Sequence, residues 1–144
     1  MRQKATLTGQ ALERLRRAAA YTPAPMALEV RNVVFDCHDL DLVSRFWQAA
    51  LGWPERAVRD RDALVAPARW GFPRLAFRRV EEQKQAKNRV HLDLTADDME
   101  TEVRRLEGLG ARRGPVVTEG LVLTLMRDPE GNEFCVAQRP TGGD

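Results

Sequence analysis

His91 and Asp93 are the pair in this 144-residue chain whose types and spacing are best suited to chemistry. They sit in Arg89-Val90-His91-Leu92-Asp93-Leu94-Thr95, where Val90, Leu92 and Leu94 alternate with polar residues. That period predicts a strand over 89–95 with one apolar and one polar face. An imidazole and a carboxylate two residues apart on a strand share a face, roughly 6–7 Å from each other. Facing a cavity, such a pair can transfer a proton, take part in a metal site or hydrogen-bond a ligand. Facing water, it is a solvated polar pair. Trp70, in Trp70-Gly71-Phe72-Pro73, offers a stacking surface in what reads as a variable loop.

The elements that must position these residues follow from local patterning. Val30 to Cys37 is β-branched and aromatic and predicts a strand. Asp39 is placed to cap a helix in which Leu40, Val43, Phe46, Trp47, Ala50 and Leu51 recur at helical spacing, with Gly52 at its C-terminal end. Short strands fit 56–60 and 62–67, and a better one fits 74–79. Residues 80–88 are polar and read as a linker. After the strand at 89–95, Asp97-Asp98-Met99-Glu100 opens a second helix that stops at Gly110. Strands fit 112–118, 120–127 and 133–138, with a turn at Asp128-Pro129-Glu130-Gly131-Asn132. A strand, a helix and three strands therefore occur twice. Asn32 matches His91, and Arg74–Arg78 matches Glu133–Ala137, both at an offset of 59, which marks an internal repeat.

Composition narrows the function classes. Residues 1–25 carry five basic residues against one acidic, leaving 18 against 20 for the rest, so the domain proper has no basic footprint for nucleic acid. No apolar run reaches the length of a membrane span. Cys37 and Cys135 form no disulfide framework or C-x-x-C pair, and free thiols point to a reducing, cytoplasmic setting. Residues 1–25 read as an extension with a short basic helix over Gln10–Tyr21, followed by Thr22-Pro23-Ala24-Pro25. That segment fits a mobile tail, a docked helix or an extension upstream of a start at Met26, and the domain is taken as 26–144.

The segments Val33–Leu40, Arg45–Gly52, Lys87–Leu94 and Arg127–Phe134, joined by the repeat, resemble the vicinal oxygen chelate superfamily, and within it the glyoxalase-like and bleomycin-resistance group. The resemblance spans about residues 28–139. It implies an α+β fold of two paired βαβββ modules, about 28–79 and 89–139, whose strands curl into a cup with helices outside. It also implies a small-molecule ligand and a homodimer. Metal-dependent members place ligands at positions that fall here on Asn32, Ala76, His91 and Cys135. Only His91 is a usual ligand in its familiar form, and Cys135 stands where a glutamate is expected.

Alternation from those positions turns Asp93, Asp36, Arg74, Arg78 and Glu133 toward the cup. The expected catalytic residues are thus His91, Glu133 and Asp93, with His91 as a metal ligand that Glu133 or Cys135 could complete around a divalent zinc, nickel, manganese or iron ion. Asn32, Asp36, Arg74, Arg78, Trp70 and Cys135 are expected to bind ligand. Arg74 and Arg78 fit either a clamp on an anionic ligand group or structural ion pairs. The expected function is binding of a small oxygenated molecule, with lyase- or isomerase-type proton transfer if the protein is an enzyme. The alternative is a non-catalytic protein that sequesters a drug or metabolite.

Overall fold

The computed structural model describes residues 28–69 and 72–140. The segment proposed as a basic helix at 10–21 and the stacking candidate Trp70 lie outside the described residues. The first module runs β1 (Asn32–Cys37), α1 (Leu40–Leu51), β2 (Glu55–Val58), β3 (Asp62–Ala66) and β4 (Arg74–Arg79). The second runs β5 (Asp93–Ala96), α2 (Met99–Gly108), β6 (Arg112–Val117), β7 (Leu123–Arg127) and β8 (Glu133–Gln138). Each module is one four-stranded mixed sheet, ordered β1-β4-β3-β2 and β5-β8-β7-β6. In both, the helix returns the chain so that the first strand lies parallel to the last. The repeat holds at the element level: α1 and α2 begin 59 residues apart, as do β4 and β8.

Local chemistry explains the helix ends. The Asp39 carboxylate accepts from Leu42 N at 3.0 Å and the Asp98 carboxylate from Thr101 N at 3.0 Å, satisfying amides that have no partner inside the helix. Gly52 ends α1 at φ 64°, a backbone conformation that costs other L-residues a steric penalty.

One core serves both modules. Leu40, Val43, Phe46 and Trp47 of α1 are buried, and the Trp47 ring meets Phe35 and Phe46 of its own module and Phe134 of β8, with centroids 5.1–5.5 Å apart. The indole N–H donates to the fully buried Asp128 at 3.1 Å, and Asp128 also accepts from Glu130 N, Asn132 N and Asn132 Nδ2. Glu130, in the same turn, accepts from the backbone N–H groups of His38 and Asp39 just ahead of α1. Arg105 of α2 donates to the carbonyls of Ala49 and Ala50 near the end of α1. The 128–132 turn therefore fixes the start of β8 against the first module.

Three strands of the second module depart from the sequence expectation. β5 begins at Asp93, so His91 precedes the strand instead of lying within it. Ahead of Asp93, Leu92 O still accepts from Cys135 N at 2.9 Å, but Asn88 N donates to the Glu133 side chain, which captures the chain that alternation alone assigns to the ladder. β7 begins at Leu123, because Gly120 at φ 85° turns the chain first. A register shift between Arg113 and Val116 interrupts β6 at Gly114-Pro115, where proline has no N–H to give.

Candidate functional site

The concave face of the second sheet follows from its registers. Asp93, Cys135 and Leu125 stand in one row across β5, β8 and β7. One pleat repeat away, Glu133, Arg127 and Arg112 form the next row on the same face. His91 reaches in from the segment before β5, and its Nε2 lies 3.1 Å from Asp93 Oδ1. One donor atom each from His91, Asp93 and Cys135 all fall within 4.8 Å of one another. His91 and Asp93 are accessible, whereas Cys135 is 4% exposed at the floor.

A cavity of about 550 Å³ opens over this face, lined by Lys84, Lys87, His91, Leu125, Glu133 and Cys135 among others. A second, of about 780 Å³, lies between β1 and residues 82–92, and Val34, Asp36, His38 and Glu82 line it. His91 and Lys84 belong to the walls of both.

Burial pushes the Cys135 thiol up to about 11, and the Asp93 carboxylate adds to the rise, so at neutral pH it is a protonated thiol and a poor nucleophile. Burial acts on Glu133 in the same direction, but the Asn88 N–H at 3.0 Å and the Lys84 ammonium at 3.1 Å outweigh it. They hold this carboxyl below the usual range. Glu133 is thus an ionised, tethered carboxylate.

A family model described as a glyoxalase-like domain matches residues 32–137, most of the chain. This chain belongs to the glyoxalase-like domain family. No curated protein matches it. Similar solved structures include a glyoxalase/bleomycin resistance protein/dioxygenase family enzyme from Burkholderia phytofirmans PsJN, at 15% identity over 77% of this chain and 98% of that one, with a TM-score of 0.66. The fosfomycin resistance protein FosX from Mesorhizobium loti is 15% identical over 80% and 95%, with a TM-score of 0.62. A mutant FosX from Listeria monocytogenes, complexed with Mn(II) and 1S,2S-dihydroxypropylphosphonic acid, is 13% identical over 78% and 90%, with a TM-score of 0.63. These likenesses establish the shared fold of paired βαβββ modules.

Within this glyoxalase-like fold, the expected site residues divide by sheet. His91, Asp93, Glu133 and Cys135 come together on the second. Asn32, Arg74 and Arg78 stay on the first, where Asn32 accepts from Arg74 Nε at 3.1 Å and Arg78 pairs with Asp62 across β3 and β4 at 3.0 Å. The two arginines are engaged with neighbours on their own sheet, and neither lines the two cavities described above. Asp36 lines the larger cavity, whose wall His91 shares. Beside His91 and Cys135, Asp93 offers a third potential metal donor, while Glu133 is bound to Lys84.

Four cations at the smaller cavity, Lys84, Lys87, Arg112 and Arg127, were not singled out from the sequence. The lysines stand in a run that reads as linker. The arginines sit at two strand ends whose pairing register no local pattern reveals.

Proposed function

We propose that this glyoxalase-like protein binds a small oxygenated molecule on the concave face of its second sheet and acts on it as a lyase- or isomerase-type enzyme. The convergence of His91, Asp93 and Cys135 carries this reading, with His91 and Cys135 on the wall of the 550 Å³ cavity. His91 is the group that moves the proton. With Nε2 turned to the Asp93 carboxylate, the ring is held in one orientation and an imidazolium formed during transfer is stabilised. Asp93 is therefore a positioning group as well as an acceptor. Glu133, kept ionised by Lys84 and Asn88, fixes the approach of residues 84–91 and is unsuited to be the acid.

The same donors also fit a metal ion, and with one bound His91 would serve as a ligand and not as the base. One imidazole nitrogen, one carboxylate oxygen and one sulfur suit zinc or another borderline ion better than manganese, which favours oxygen donors. Three protein donors leave a further position for the ligand. When bound, such an ion would polarise a carbonyl or hydroxyl oxygen of the substrate. Residues Asn32 and Ala76, which the family pattern would recruit, supply no part of this set: Asn32 is bonded to Arg74 and alanine has no donor atom.

Bound-metal content of untagged protein purified without chelator tests the site, measured beside His91→Ala and Cys135→Ala. Near-stoichiometric metal that disappears in both variants is the expected result. Metal retained in both would remove the cluster as its ligand set. Activity on α-ketoaldehyde or epimerisation substrates that survives His91→Ala would remove its role in proton transfer.

A further inference from the structure

Arg112 of β6 and Arg127 of β7 stand directly opposite each other in the antiparallel ladder. Like charges in that position repel, and a sheet built for stability alone would place an acid in one of the two places. The acid nearest in register is Glu133, opposite Arg127 on β8, yet its carboxylate is turned to Lys84 and Asn88. Among the described residues, neither arginine makes an ion pair or a side-chain hydrogen bond, and the same is true of Lys87. Both arginines and Lys87 line the 550 Å³ cavity. Gly131 shows where Arg112 points. A Cβ there would sit 3.5 Å from Arg112 Nη2 and 3.9 Å from the Lys84 stem, so the guanidinium lies over the 128–132 turn beside Lys84. The other acid at the cavity, Glu130, is engaged with the amides of His38 and Asp39, and nearby Asp93 is engaged with His91.

The geometry points to an oxyanion subsite in which Lys87, Arg112 and Arg127 hold a doubly charged tetrahedral group, a phosphate or phosphonate, on the molecule that His91 meets. Three cations from separate segments, unpaired among the described residues, match a group with three acceptor oxygens and two charges better than a planar carboxylate, which one guanidinium can satisfy alone. This deepens the reading of His91 as the reactive group and rests on it for the substrate, but the anion subsite stands on its own residues. Its test therefore does not require His91.

Titration calorimetry of the full chain at constant ionic strength, with inorganic phosphate, methylphosphonate and acetate as probes, tests the subsite. Expected is saturable one-to-one binding of phosphate or methylphosphonate, tighter than acetate, unchanged in His91→Ala and in the distant control Arg104→Gln. Arg112→Gln and Arg127→Gln each weaken it about tenfold or more, the usual scale for a lost charge-assisted hydrogen bond. Which of the two probes binds more tightly separates a phosphate ester from a phosphonate as the source. Acetate binding as tightly as phosphate, or phosphate binding that survives the double variant, would overturn the proposal. Thermal unfolding without anion supplies a second readout. Relief of the Arg112–Arg127 repulsion leaves each single variant as stable as the parent or more so, whereas clear destabilisation of both would make the pair structural and end the argument.

Discussion

Replacing Asp128 by alanine tests how the second module is held in place to present its site. The carboxylate is fully buried and accepts four hydrogen bonds at 2.9–3.1 Å, from Trp47 Nε1, Glu130 N, Asn132 N and Asn132 Nδ2. Alanine leaves the indole N–H, itself at zero exposure, without a partner, and frees the turn that leads into β8. Bonds to a charged acceptor contribute about 1.5–3 kcal/mol each but do not add, because some turn amides regain water, so a loss of roughly 3–5 kcal/mol is expected. For a domain of this size that corresponds to a fall of roughly 10 °C or more in Tm. Urea unfolding followed by tryptophan fluorescence and by circular dichroism measures it. The companion Trp47→Phe keeps an aromatic ring in the core and removes only the donor, so the double-mutant cycle isolates the Trp47–Asp128 bond at about 1–3 kcal/mol of coupling. A loss below about 1 kcal/mol in Asp128→Ala, or strict additivity in the cycle, would refute the role of this contact.

Other outcomes follow from the same geometry. The folded-state pKa of Glu133 is depressed, so its contribution to stability is present above the unfolded value of about 4.3 and is lost as pH falls through the folded one. Glu133→Gln should accordingly be less stable than the parent at pH 7, and the gap in urea midpoint should narrow as the pH falls below the unfolded value; an unchanged gap counts against the Lys84–Glu133–Asn88 tether. Burial, with Glu130 and Asp128 adding to it, pushes the Cys37 thiol up to about 12, as burial with Asp93 pushes Cys135 up to about 11. Both thiols should resist a disulfide reagent at pH 8 until the protein unfolds, and stability should decline above about pH 9, where only the unfolded thiols ionise. Rapid labelling of the folded protein would contradict their burial. Static light scattering should report a homodimer, the assembly expected from the family resemblance; a monomer at all concentrations would dispose of it.

Much of this fold could be read from local sequence, because helix caps and alternation depend on nearest neighbours in the chain. Asp39 and Asp98 announced both helices, and the offset of 59 between matched elements survives in the starts of α1 and α2 and of β4 and β8. Alternation singled out His91 and Asp93 as a pair, but it placed both on a strand; His91 lies ahead of β5 and still meets Asp93 at 3.1 Å. Side-chain partners taken from other segments were beyond its reach. Arg74 and Arg78 were candidate ligand clamps, but Asn32 and Asp62 in neighbouring strands engage them. Glu133, a candidate acid, is claimed by Lys84 and Asn88, and this shortens β5 and leaves Asp93 beside His91 and Cys135. Arg112 and Arg127 are 15 residues apart in sequence and opposite each other in space. Alternation fixes which face a residue takes, but only the register between strands decides which charges share that face at close range, and register is set by the packed sheet as a whole.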